Sequence, residues 1–271
     1  MKRAELINVI KKQRSYLCVG LDTDLRKIPS FLLKEEDPIF EFNKAIIEET
    51  QQYCVAYKPN LAFYESLGPK GLISLQKTLD IIPETHFTIA DAKRGDIGNT
   101  ASMYAKAFFD IYGFDSITVA PYMGRDSIEP FLDYPGKWAI VLGLTSNTGA
   151  DDFEQLELNS GGKLYEMVIQ TVAGYGSIED TMFVAGATRT EELKRIREIV
   201  PDYFLLIPGV GAQGGDLEAV SKATLTKECG ILVNASRSIL YASSDTDFAS
   251  AAGREAQSMQ MQMATLLDGR I

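Results

Sequence analysis

Eight short apolar, β-branched runs recur along the chain, each bounded by turn or polar residues. They are SYLCVGLD ending at Asp22, CVAYKPN at Asn60, HFTIADAK at Lys93, SITVAP at Pro121, WAIVLGLT at Thr145, MFVAGAT at Thr188, YFLLIPGV at Val210 and GILVNAS at Ser236. Near-continuous apolar strands of this kind are buried on both faces, as parallel strands covered by helices are. Helical patterns fill the intervals, among them DPIFEFNKAIIEETQQY, TASMYAKAFFDIYG and TRTEELKRIREIV. The last opens with Thr188 three residues before Glu191, the spacing of a capping box. Eight β-then-α units in 271 residues predict an α/β fold, a single-domain (β/α)8 TIM barrel, rather than an open doubly wound sheet. No linker or composition shift divides residues 1–271, and MKRAELINVIKKQRS reads as a helix leading into the first strand.

Composition narrows the partners. A net charge of -10, from 27 basic against 37 acidic residues, argues against nucleic acid or an anionic membrane, while leaving room for a local basic pocket. Cys18, Cys54 and Cys229 are too scattered for a zinc site or a disulfide framework, and a cytoplasmic location is expected. No window reaches the length of a membrane span. One connection breaks the rhythm: Ser146 to about Thr181 contains the polar SNTGADDFEQLELNSGG before helical KLYEMVIQTVAGYG, an insertion that reads either as a lid or as a plain surface loop.

Barrels carry their chemistry at the carboxyl ends of strands. That rim should present Asp22, Lys58, Asp91 with Lys93, Ser146, Gln213 and Arg237. Asp91 and Lys93 are two apart on a strand and point to one side, with Lys58 on the adjacent strand. Asp96 follows just beyond. The bland reading of D-x-K-x-x-D is a surface ion-pair cluster. A second lysine on the neighbouring strand favours an alternating array of Lys58, Asp91, Lys93 and Asp96, in which each carboxylate holds its neighbours as ammonium ions. The single histidine, His86, starts its strand on the opposite rim and is expected to be structural, as are Trp138, expected against a helix, and the helical MQMQM stretch from Met259 to Met263.

PGVGAQGGD, Pro208 to Asp216, contains G-x-G-x-x-G at Gly209, Gly211 and Gly214. After a seventh strand, with no separate dinucleotide unit, it is weak as a nucleotide-cofactor fingerprint and much better as a phosphate loop using backbone N–H groups and a helix N-terminus. NASRSI supplies Arg237 from the next loop, and a guanidinium can grip phosphate in bidentate fashion.

At this point DAKRGDIGNT resembles the signature of the orotidine 5'-phosphate decarboxylase family, and VGLDTD, YKPN, TSNTGA, PGVGAQGGD and NASRSI fall in that family's order along the whole chain. The length and these motifs are similar to the longer bacterial branch. The resemblance implies decarboxylation of orotidine 5'-phosphate to UMP and CO2, the last step of de novo UMP biosynthesis, without a metal or other cofactor. It implies that Lys58, Asp91, Lys93 and Asp96 form the catalytic array, Lys93 protonating a C6 carbanion. The family's active unit is a homodimer, so Asp96, Ile97 and Thr100 are expected to cross into the partner's site. Asp22 would bind ribose hydroxyls, Ser146 the pyrimidine, and Gln213, Gly214, Gly215, Ser236 and Arg237 the phosphate, with residues 146 to 160 closing as a lid. Two rivals stay in view: a related barrel that stabilises an enediolate with Mg²⁺, which Lys58 and Lys93 would repel, and a nucleotide-binding barrel without chemistry, which would have no need of Asp91.

Overall fold

The computed structural model describes residues 1–187, 190–210 and 215–270. Eight strands, β1 (Leu17–Leu21), β2 (Ala56–Pro59), β3 (Phe87–Arg94), β4 (Ser116–Val119), β5 (Trp138–Leu144), β6 (Thr181–Ala185), β7 (Phe204–Pro208) and β8 (Ile231–Ala235), pair in parallel in chain order, and β8 returns to β1 to close a barrel. Each strand begins within two residues of one of the eight apolar runs. The runs extend past the strands because their last residues enter the loops of the carboxyl rim. β6, for example, stops at Ala185, and Thr188 of the proposed capping box lies outside the described residues.

Register decides which side chains fill the barrel. Tyr57 turns outward, its hydroxyl at 2.8 Å from Thr50 Oγ1 on the helix Pro38–Thr50, so Ala56 and Lys58 on either side face inward. Register partners in a parallel pair face the same way, which makes Cys18, Gly20, Phe87 and Asn234 inward as well. At the amino end the odd strands contribute Phe87, Trp138 and Phe204, whose rings meet edge to face at 5.9 and 6.1 Å. Trp138 therefore packs inside the barrel, not against a helix as expected from its place at a strand start. Its indole N–H donates to the Met1 carbonyl at 2.9 Å. Higher up, the even strands supply a layer of four, Lys58, Thr118, Val184 and Asn234, all at most 7% exposed. Three of these four are polar, which marks where the apolar core gives way to the mouth.

The amino rim is sealed. His86 is buried, donates from Nε2 to the Gln51 carbonyl at 2.8 Å and faces the Thr85 hydroxyl through Nδ1. Burial lowers the pKa of its imidazole. The C-terminal helix Phe248–Leu267 buries Met259 and Met263 and exposes Met261, so the methionine stretch is packing and surface. Among the described residues no helix is long and apolar enough to cross a membrane.

Candidate active site

β3 delivers the charged cluster. Asp91 binds two lysines, one through each carboxylate oxygen: Lys58 Nζ donates to Oδ2 at 2.6 Å and Lys93 Nζ to Oδ1 at 2.5 Å. The Lys58 and Asp91 side chains are 5% and 10% exposed, whereas that of Lys93 is 52% exposed and reaches into the open mouth. Burial alone would push the Asp91 carboxyl up, yet Lys58 and Lys93 outweigh it and hold the pKa at about 2. Burial likewise disfavours the Lys58 ammonium, but Asp22 and Asp91 overcome it and raise that pKa well above the ordinary value. Removing Lys58 or Asp91 would strand a buried charge, whereas the half-exposed Lys93 can be removed with the Lys58–Asp91 pair left intact.

Lys93 reaches Asp91 by a route that strand alternation alone does not give. The β3–β4 register slips between Ala90 and Arg94, and Lys93 sits in the left-handed region with φ 47°. Released from the ladder, the amides of Ala92 and Lys93 both donate to Thr118 Oγ1 at 2.9 Å, and the ladder resumes where Ala120 N donates to Arg94 O at 2.8 Å. Arg94 turns away from the mouth, with its guanidinium over the rings of Tyr104 and Phe108 and an ion pair to Glu65. Of the charges in DAKRGD, Arg94 is therefore the one committed to packing.

Asp96 departs from the array. Its carboxylate accepts from the Ile97 amide at 2.8 Å, and among the described residues no ion pair joins it to Lys93. Ile97 caps the helix Gly98–Lys106 and is 53% exposed, and Thr100 is exposed on that helix's first turn. Asp22 follows β1 beside Lys58 and leaves Oδ1 buried without a hydrogen-bond partner. Ser146 follows β5, its backbone so close to Gly186 that a Cβ there would lie 2.9 Å from Ser146 N. Ser236 precedes the short helix Arg237–Leu240, and its Oγ accepts from Asn234 Nδ2 at 3.2 Å. Only a glycine fits at position 20, because a Cβ would overlap that Ser236 oxygen. Arg237 is exposed at the same mouth, with no ion pair among the described residues.

The phosphate loop is described in part. Gly209 has φ 98°, and Gly215 donates back to its carbonyl at 3.1 Å, while Gln213 and Gly214 lie outside the described residues, as does Gly211. At the start of the helix Leu217–Thr224, Asp216 Oδ1 already accepts from Glu218 N at 2.8 Å and from Ala219 N at 3.4 Å. The long β5–β6 connection is tied by its own bonds: Glu154 accepts from the Thr145 amide and hydroxyl, the backbones at Glu157 and Lys163 pair as an antiparallel β-bridge, and Lys163 Nζ donates to Gln155 Oε1 at 2.7 Å. It leaves Phe153 and Leu156 exposed.

Thr118 and Asn234 escaped the reading of strand ends. Both are inward-facing polar residues in otherwise apolar strands, SITV and ILVNA, and that signal was available in the sequence. Asn234 Oδ1 is buried without a partner, like Asp22 Oδ1. Buried acceptors left open beside a rigid ammonium–carboxylate–ammonium bridge form a site built to receive hydrogen-bond donors from a ligand.

A family model described as orotidine 5'-phosphate decarboxylase / HUMPS family matches residues 15–252. The orotidine 5'-phosphate decarboxylase of Christiangramia forsetii is 57% identical over 272 residues, covering 99% of both chains. That of Phocaeicola vulgatus is 54% identical over 270 residues, covering 98% of this chain and 99% of the relative. Among solved structures, the OMP decarboxylase of Leishmania donovani superimposes with a TM-score of 0.83 at 35% identity, over 98% of this chain and 99% of the other.

Proposed function

The chain belongs to the orotidine 5'-phosphate decarboxylase family, and from that premise we propose that it converts orotidine 5'-phosphate to UMP and CO2, the last step of UMP biosynthesis, by electrostatic means alone. The observation that carries the reading is Asp91 held between Lys58 and Lys93 at the barrel mouth.

The reaction breaks the bond from C6 to the carboxyl carbon and leaves the electron pair on C6, in the plane of the pyrimidine, where the ring π system cannot absorb it. A fixed positive charge next to C6 can stabilise that pair, and stabilisation of this kind is strongest where the charge is held in place before the reaction. Lys93 supplies the charge and then gives one Nζ proton to C6, completing UMP. Lys58 and Asp91 keep that ammonium in register, and Asp91 faces the departing carboxylate. The open acceptor of Asp22 suits a ribose hydroxyl, and Ser146 the pyrimidine. Arg237 and Ser236, with Gln213, Gly214 and Gly215 of the preceding loop, suit the phosphate. Binding of the remote phosphate can then drive the 146 to 160 segment closed and serve the chemical step.

A homodimer fits the unshared part of the array. Ile97, Met103, Tyr122 and Met123 are large exposed apolar side chains, Ile97 next to Asp96 in the chain and Met123 against Gly95, which supports a second copy covering this region, with Asp96, Ile97 and Thr100 entering the partner's site. Ile97→Asp should then yield monomers in sedimentation equilibrium and lose turnover with them. A dimer that survives the charge would remove this assignment. Three free, buried thiols support a cytoplasmic location, which cell fractionation checks.

The test of the activity is the ultraviolet absorbance change of orotidine 5'-phosphate on adding purified protein, with and without chelator. Conversion to UMP at the same rate in both supports the charge-based mechanism. Conversion abolished by chelator would point to metal chemistry, and UMP binding without conversion would leave a nucleotide-binding barrel.

A further inference from the structure

Lys93 is a non-glycine residue at φ 47°, a conformation that is costly for an L-residue and persists only where its surroundings impose it. The slip of register around it also frees two adjacent amides, Ala92 and Lys93, in a part of the barrel where an unpaired N–H is costly. One atom answers both. Thr118 Oγ1 accepts from Ala92 N and from Lys93 N, each at 2.9 Å, and its own proton is within reach of Asp91 Oδ1 at 3.3 Å and the Ala90 carbonyl at 3.4 Å. Thr118 is 1% exposed in the middle of β4, and its β-branched side chain is stiff about χ1. It belongs to the same inward layer as Lys58.

From this geometry we infer that Thr118 is a positioning residue for the reaction: its hydroxyl oxygen holds the left-handed turn at Lys93 and so aims the ammonium that Asp91 grips. The inference rests on the reading of Lys93 as the proton donor. A threonine is suited to the task, and a serine keeps the part of it that matters while a valine does not. The threonine oxygen supplies the acceptor, and the methyl group fills the apolar side of the layer and keeps the oxygen in one rotamer. Thr118 acts through Lys93 and does not itself touch the reacting carbon.

The test replaces the oxygen and the methyl group separately. Thr118→Val should lower kcat by roughly ten- to a hundredfold with KM within about threefold, since phosphate and ribose contacts are untouched. Thr118→Ser should stay within about threefold of wild type, and amide exchange at Ala92 and Lys93 should quicken in the valine variant only. In a Lys93→Ala background the valine change should cost nothing further, because its effect passes through Lys93. Should the valine protein not fold, Thr118→Ala carries the same expectations. Wild-type kcat in Thr118→Val, equal losses in the serine and valine variants, or a full further loss in the Lys93→Ala background would each overturn the inference. If wild type fails to turn over orotidine 5'-phosphate, the proposed reaction falls, whereas unchanged amide exchange would sink the positioning role by itself.

Discussion

The two ends of the barrel treat polar groups in opposite ways. At the amino rim, Arg197 donates to the carbonyls of Thr224, Val200, Tyr203 and Gly230 at 2.7 to 3.0 Å, and His86 has a partner on each ring nitrogen. At the carboxyl rim, Asp22 Oδ1 and Asn234 Oδ1 are buried without partners, Arg237 is exposed with no ion pair among the described residues, and Lys93 occupies a strained backbone conformation. One set of strands builds both. Saturated polar groups lower the energy of the folded chain and have nothing left to offer a ligand. Unsaturated ones cost stability that the sealed end must supply. An arginine or histidine can therefore be assigned a role from whether its hydrogen-bonding capacity is used up.

The largest effect that could break this contrast is at Lys93. Lys93→Ala should lower kcat by about a thousandfold or more while leaving the thermal midpoint near wild type, because the side chain is half exposed. Near-wild-type turnover would end the proton-donor role. Arg197→Met is the mirror experiment. Burial already pushes that guanidinium down to about 10, and the methionine would take a donor from each of the four carbonyls, of which Gly230 keeps the Leu205 amide at 3.0 Å. Stability measured in urea should fall by roughly 2–3 kcal/mol with kcat per folded molecule unchanged. A loss of turnover without a loss of stability would erase the distinction between the rims.

The same contrast explains what the sequence revealed. The barrel was legible because buried parallel strands must be apolar along their length, and eight such runs admit few arrangements. Lys58 and Asp91 were legible because adjacent inward positions at strand ends have to meet, and the same alternation put Lys93 beside them, although it gets there through a bulge. The left-handed turn at Lys93 was not, since no glycine or asparagine announces it and its cause, Thr118, lies on the next strand. Trp138 was misplaced because a strand start does not reveal whether its side chain faces a helix or the barrel axis; the ring contacts with Phe87 and Phe204 decide it. Asp96 was placed in the array by its spacing and by the family resemblance, which expects it in a partner's site; within one chain its carboxylate accepts from the Ile97 amide and makes no ion pair with Lys93 among the described residues.

A smaller effect sharpens the contrast between two residues of one type. Arg237→Ala should reduce kcat/KM by about thirtyfold, near 2 kcal/mol, the scale of a charge-assisted hydrogen bond. Its urea midpoint should not move, because Arg237 holds no other part of the described structure. Unchanged kcat and KM would remove Arg237 from the phosphate site, and a lower urea midpoint would make it a structural residue like Arg197.

The smallest effect concerns His86, where the two rims differ in what they do with pH. Its folded pKa lies below the ordinary value near 6.5, so the unfolded chain binds the proton more readily. The stability this contributes is present above pH 6.5 and is lost as the pH falls through the lowered pKa of the folded state. His86→Gln keeps a donor for the Gln51 carbonyl and cannot titrate. It should flatten the slope of unfolding free energy between pH 5 and pH 7 and leave kcat/KM against pH superimposable on wild type. The substrate phosphate also titrates near 6 and will shape both activity profiles equally, so the difference between the two proteins is the informative quantity. A histidine serving catalysis would produce the reverse, an altered activity profile over an unchanged stability slope, and would move the chemistry of this barrel to its sealed end.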